Sequence, residues 1–225
     1  MTFDGPGVAS PKWSADGRKI AYVTSTKGKT SIQTASADGS GAPEMFLDLP
    51  QPATLTDWSA DGRFLLYTLR ERDGKQELWM LPTQGDRKPN AVLHGPFAFK
   101  HARLSPDGRW LAYVSNEAGR EDVYVQSFPP GQGKWMISNA GGTHPVWRLD
   151  GRELFYMQAQ RTLMSVEIRS GTLPEPGRPR QLLETPGSGS FEVAPDGQRF
   201  LFSVPSREER PEPIQIVLQW TAETP

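Results

Sequence analysis

The chain contains no cysteine, which removes disulfide frameworks, thiolate metal sites and cysteine nucleophiles at once. Histidine is scarce as well, with only His94, His101 and His144. No run of about 18 apolar residues occurs, so no segment reads as a membrane-spanning helix and no direct membrane insertion is expected. The start, Met1-Thr2-Phe3-Asp4-Gly5-Pro6-Gly7, lacks the basic and apolar regions of a signal peptide, so any export signal or anchor is expected outside this chain. A surplus of either charge is also missing. Lys and Arg number 25 against 26 Asp and Glu, a net charge of −1, which offers no electrostatic case for a nucleic-acid partner. The lack of cysteine suits cytoplasm and periplasm equally. No stretch sustains a helical period.

Turn formers and aromatics are plentiful: 22 Gly, 21 Pro, 7 Trp, 10 Phe and 5 Tyr, as in a packed, turn-dense β protein. One phrase recurs. It reads Trp13-Ser14-Ala15-Asp16-Gly17-Arg18, Trp58-Ser59-Ala60-Asp61-Gly62-Arg63 and Leu104-Ser105-Pro106-Asp107-Gly108-Arg109. Two worn copies follow, Trp147-Arg148-Leu149-Asp150-Gly151-Arg152 and Val193-Ala194-Pro195-Asp196-Gly197-Gln198. The aspartates step by 45, 46, 43 and 46 residues, a period that marks a repeat architecture.

Asp-Gly between apolar runs is a hairpin signal, because Gly takes positive φ freely and the Asp carboxylate can accept a nearby backbone N–H. Asp16, Gly17, Asp61, Gly62, Asp107, Gly108, Asp150, Gly151, Asp196 and Gly197 are therefore read as structural turn residues, with each Trp or Tyr packing its hairpin on the next unit. The strand after each turn is apolar on both faces. Ile20 and Tyr22 alternate with Ala21 and Val23, and Leu111 and Tyr113 with Ala112 and Val114, so these strands are expected to be buried on both sides. Third strands are expected at 31–34, 77–81, 122–125, 163–168 and 214–218, and fourth strands at 44–47, 90–93, 134–137 and 180–183. Four strands per unit of about 45 residues describe a propeller blade. The expected fold is all-β: a β-propeller of four-stranded antiparallel blades in five repeats. A single domain over 1–225 is expected, with blades at about 8–50, 51–95, 98–140, 143–185 and 188–220. It is either a closed five-bladed ring, with Thr2-Phe3-Asp4 as the last outer strand, or a segment of a larger propeller.

The repeat resembles the TolB-type propeller repeat, a WD40-like unit, most densely at 13–22, 58–67 and 104–113. The tail, Phe191 to Leu201 followed by Pro213 to Thr221, resembles the C-terminal end of propellers fused to bacterial serine/threonine protein kinases. That resemblance implies a sensor or interaction module and favours a periplasmic or extracytoplasmic location. The chain carries no kinase motif, so kinase activity does not transfer.

Catalytic patterns fit poorly. A sialidase Asp box places its Gly one residue later, and Gly187-Ser188-Gly189-Ser190 has the wrong register for a nucleophile elbow. Asp73-Gly74 fails the EF-hand register, since Leu69 and Met80 fall at ligand positions. Glu121 and Asp122 alternate across a strand and do not converge. The histidines fall in connections between blades and make a poor zinc set, so no metal or cofactor is expected. The chain is accordingly expected to be no enzyme. It is read as a binding or sensor module that recognises a protein, peptide or small ligand on its loop-rich face, kinase attachment being one setting. Candidate binding residues are Arg72, Phe97, Phe99, His101, Arg120 and His144, on loops held by a rigid scaffold. The alternative is a propeller hydrolase or lyase at the channel mouth, for which Asp57, His101, Arg103 and His144 are the plausible members.

Overall fold

A computed structural model describes residues 7–71, 73–131, 133–159, 161–169, 173–185 and 190–204. The first sheet runs β1 (Val8–Trp13), β2 (Lys19–Thr26), β3 (Lys29–Ser36) and β4 (Glu44–Leu49), each antiparallel to the one before. The second repeats that order with β5 (Ala53–Trp58), β6 (Phe64–Arg70), β7 (Gln76–Pro82) and β8 (Asn90–Leu93). The third has β9 (Phe99–Leu104), β10 (Trp110–Ser115), β11 (Asp122–Ser127) and β12 (Lys134–Met136). In the fourth, β13 (Thr143–Trp147), β14 (Glu153–Gln158) and β15 (Thr162–Arg169) are followed by two short strands. These are β16 (Glu175–Pro176) and β17 (Arg180–Glu184), both of which pair with β15. The last described sheet is the hairpin β18 (Phe191–Val193) and β19 (Phe200–Phe202). The expected strands at 2–4 and 214–218 lie outside the described residues. Among the described residues no helix is long and apolar enough to cross a membrane.

First strands of successive sheets contact one another, which puts them innermost. The sheets stack face to face, and alternate residues of one strand feed two different cores. Leu111 and Tyr113 join Leu66, Leu78 and Phe99 between the second and third sheets. Ala112 and Val114 join Trp147, Leu154 and Tyr156 between the third and fourth. Every residue of β10 and β11 is buried, as two-sided apolar strands require. The packing direction of the tryptophans differs from expectation. Trp58 and Trp147 pack on the preceding sheet, and Trp147 Nε1 donates to the Arg103 carbonyl at 3.1 Å. Trp13 is 59% exposed.

The repeated turn is longer than a two-residue hairpin. In the third sheet the Ser105 carbonyl accepts Gly108 N–H at 2.8 Å, and Gly108 exits at φ 70°. The Ser105 hydroxyl donates to Asp107 Oδ1 at 2.5 Å and accepts Trp110 N–H at 2.9 Å, while Asp107 Oδ1 accepts Arg109 N–H at 3.1 Å. The same clamp holds Ser14 to Asp16 and Ser59 to Asp61. Where the fourth repeat has Arg148 in place of Ser, the guanidinium grips Asp150 through two contacts of 2.8 and 2.6 Å. A different donor thus rescues the worn copy.

Ser105→Ala should cost about 1–3 kcal/mol in denaturant unfolding, because it strands a buried Trp110 N–H. The equivalent Ser14→Ala, in an exposed turn, should stay within about 0.5 kcal/mol.

Candidate functional site

The innermost strands are irregular where they approach the axis. Their register slips between Ala9 and Lys12, between Leu55 and Asp57, between Lys100 and Arg103, and between Thr143 and Val146. Such bulges re-aim side chains. In three of them a non-glycine residue is forced to positive φ: Ser10 at 55°, His101 at 51° and His144 at 52°. L-residues resist this conformation, and its persistence at matching positions singles out the channel as strained.

The bulges open a funnel of about 350 Å³ on the side where strands two and three of each blade are joined. Those loops and the blade-to-blade connections do share a face: Ala98 N–H donates to Asn116 Oδ1 at 2.9 Å, and Gly142 N–H donates to the Glu121 carbonyl at 3.0 Å. Lys12, Lys100, His101, Arg103, His144 and Glu192 supply the polar wall, with Thr54, Leu55, Thr56, Val146 and Phe191 between them.

One register position builds the floor. The residues just before Trp13, Trp58, Leu104, Trp147 and Val193 are Lys12, Asp57, Arg103, Val146 and Glu192, so the four charged ones alternate in sign, with neutral Val146 between Arg103 and Glu192. Arg103 reaches Asp57 Oδ1 at 3.4 Å with Nη1 and Glu192 Oε1 at 2.9 Å with Nη2. Asp57 Oδ2 also accepts Leu104 N–H at 2.8 Å. Burial pushes the Asp57 pKa up, and the Arg103 charge opposes that shift without cancelling it. Burial disfavours the Arg103 charge, yet the two carboxylates outweigh it and raise its pKa. Lys12 has no such partner among the described residues. Burial, then the Arg103 charge, lowers it to about 8.

His101 and His144 lie close together, their ring centroids 3.9 Å apart and their planes tilted by 36°. Burial lowers the His101 pKa to about 3, helped by His144 and by Lys100, Arg103 and Lys12. Burial also lowers His144, with Arg103 and Lys12 acting in the same direction. Both rings are therefore neutral at neutral pH, each with one N–H and one lone pair. Buried His144 Nδ1 and Thr56 Oγ1 have no hydrogen-bond partner among the described residues, unsatisfied capacity that a polar ligand would use. Asp57, His101, Arg103 and His144 thus come together as two pairs, one ionic and one of adjacent imidazole rings. Among the described residues no group of three or more His, Asp or Glu is arranged to hold a metal ion.

The other expected site residues fare differently. Phe99 is 6% exposed and packs edge-on against Tyr113 at 6.0 Å, so it is a core residue and not a rim contact. Its position in β9 turns it inward, where an apolar ring is worth most. His101 and His144 lie on inner strands and not in the connections where the sequence reading put them. Phe97 is exposed in the connection before β9. Arg120 braces its loop, donating to Asp122 Oδ2 and the Asn139 carbonyl, both at 3.0 Å. Arg72 lies outside the described residues. Glu121 pairs with Lys100 at the funnel mouth, 2.5 Å apart, while Asp122 is buried under Ser138 and Gly141 N–H, so the two carboxylates do diverge. Lys12 and Glu192 were missed. Alignment of the residue preceding each repeated Trp would have found them.

The TolB β-propeller domain family matches residues 5–218. TolB of Acinetobacter baumannii superposes with a TM-score of 0.70 at 19% identity, over 89% of this chain and 49% of that one. Oligogalacturonate lyase of Vibrio parahaemolyticus superposes with a TM-score of 0.64 at 11% identity, over 90% of this chain and 63% of that one. In sequence, the uncharacterized peptidase YuxL of Bacillus subtilis (strain 168) is 24% identical over 146 residues, 59% of this chain. The chain spans 22% of that relative's length. These relatives correct the expectation that the chain is no enzyme: the sequence relative is named a peptidase, and a protein of the same fold is a lyase. The absence of a local catalytic motif was the wrong criterion. Groups that meet in a propeller funnel come from different blades and share no contiguous motif.

Acidification should expose the buried histidines. With the folded-state pKa of His101 near 3 and an ordinary value near 6.5, the unfolded chain binds the extra proton, so stability falls as pH drops through 6.5. The Tm should decline between pH 6.5 and 4.5, and His101→Gln should flatten that decline.

Proposed function

This chain belongs to the TolB β-propeller domain family, and from that premise we propose that its funnel receives a peptide or a small polar ligand. The observation that carries the reading is the set of Lys12, Asp57, Arg103 and Glu192, charges of both signs, beside two closely paired neutral histidines at strained φ. Two cations balance two anions, so the ring favours a dipolar ligand over one of large net charge. A peptide end or amide fits: it supplies donors and acceptors together, as neutral imidazoles, Arg103 and the unpaired Thr56 hydroxyl require. Exposed Phe97 and Arg120 serve on the rim in this reading, outside the funnel proper.

The site acts in the service of a larger enzyme, as a propeller that selects substrate. The peptidase relative, of which this chain matches only 22%, supports that setting. The resemblance of the tail to kinase-fused propellers supports a second setting, in which funnel occupancy is reported to a kinase and the module works outside the cytoplasm. The coding sequence on either side of this chain separates the two. Catalysis in the funnel itself, as a hydrolase or lyase, is favoured by one observation: the Lys12 amine, lowered to about 8, can exchange a proton near neutral pH beside the neutral rings of His101 and His144.

Peptides selected from a random library on the wild-type protein should bind Arg103→Met and His144→Ala at least about tenfold more weakly by fluorescence polarisation. Arg63→Ala, in a turn on the opposite face, should bind as wild type. Equal affinities for all four proteins would remove the funnel from the account.

A further inference from the structure

Arg103 takes both carboxylates of the ring, and Lys12 is left over. Its ammonium makes no ion pair or hydrogen bond among the described residues, although it lines the funnel. The charged and titratable groups that face it are Asp57 on β5, His101 and Arg103 on β9, His144 on β13 and Glu192 on β18. A lysine held in a cavity beside a guanidinium, with its natural partners already engaged, is poised to exist as a free amine. Its lowered value near 8 agrees with that geometry. About a fifth of the side chain is then unprotonated at pH 7.4, against about one part in a thousand for an ordinary lysine.

We propose that the Lys12 amine is a nucleophile that captures small carbonyl compounds, aldehydes and 2-oxo acids, entering the funnel. The nitrogen lone pair adds to the carbonyl carbon, a C–N bond forms, and the π pair of the C=O bond moves onto oxygen. The two amine hydrogens then leave with that oxygen as water, and a C=N bond remains. The step consumes no oxidant or reductant. The neutral rings of His101 and His144 share the cavity, and each keeps an N–H that can hydrogen-bond the carbonyl oxygen. This inference goes beyond peptide recognition and needs only that the funnel admit a small molecule.

The test uses the whole wild-type chain with glyoxylate and cyanoborohydride, which traps the imine as a carboxymethyl amine, and peptide mass mapping of each lysine. Lys12 should be modified at least about tenfold faster at pH 7.5 than the exposed Lys27 and Lys29, with a rate that is half-maximal near pH 8. Modification of Lys12 at the rate of Lys27 and Lys29, or with no inflection between pH 7 and 9, would overturn the proposal. Binding of the library-selected peptides, measured on the same preparation, keeps the two readings apart. Peptide binding without preferential labelling overturns the nucleophile alone. Labelling of Lys12 that leaves peptide affinity untouched upholds the nucleophile and counts against the funnel as the peptide site.

Discussion

The innermost strands at 8–13, 53–58, 99–104 and 143–147 are each interrupted by a bulge just before the repeated turn, and the position of that bulge governs the rest of the molecule. Downstream of it, the strand must be in register to deliver Trp58, Leu104 and Trp147 into the clefts between blades and the following Ser or Arg and Asp into the turn clamp. Upstream, the added residue turns His101 and His144 to the axis at a backbone angle that non-glycine residues resist. Between the two sits the residue that faces the channel floor. Packing on both faces of the second and third strands holds this arrangement rigid, since Leu111 and Ala112 are both wholly buried yet serve different cores. The strain at the axis is sustained by apolar burial further out.

The electrostatics follow from that geometry. Charges collected from different blades meet in a narrow, partly dehydrated space, where Arg103 can bridge Asp57 and Glu192, 46 and 89 residues away in sequence. Once these three are engaged, the remaining groups take on unusual states. Lys12 loses proton affinity, and His101 and His144 stay neutral as a close pair. Each shift begins with burial and is deepened by neighbouring positive charge. Nothing comparable arises at the Asp-Gly turns, where Asp16 and Asp196 are exposed and held down by ordinary local hydrogen bonds.

The sequence made the scaffold legible because its signals are local. The Asp-Gly period, the two-sided apolar strands and the turn clusters placed the strands of the first four sheets closely, and the divergence of Glu121 and Asp122 followed from strand alternation alone. The site was only partly legible. His101, His144, Asp57 and Arg103 stood out as rare or charged residues near the channel mouth. Lys12 and Glu192 did not, because their importance comes from a shared register before Trp13 and Val193 and no local motif marks it. Phe99 was misread for a different reason: it was assigned to a loop, whereas its place in β9 turns it into the core. The judgement against catalysis failed on the same ground, since it searched for contiguous motifs in a fold that assembles sites across blades.

The central claim is that ligands enter the funnel and not the turn-bearing face. A library-selected peptide carrying a photoreactive group at either end, irradiated on the intact chain and mapped by mass spectrometry, tests it directly. The account predicts adducts on the funnel segments at 12, 54–56, 100–103, 144–146 and 190–192. Adducts confined to the turns at 14–18, 59–63 and 105–109 or to the outer fourth strands would contradict it.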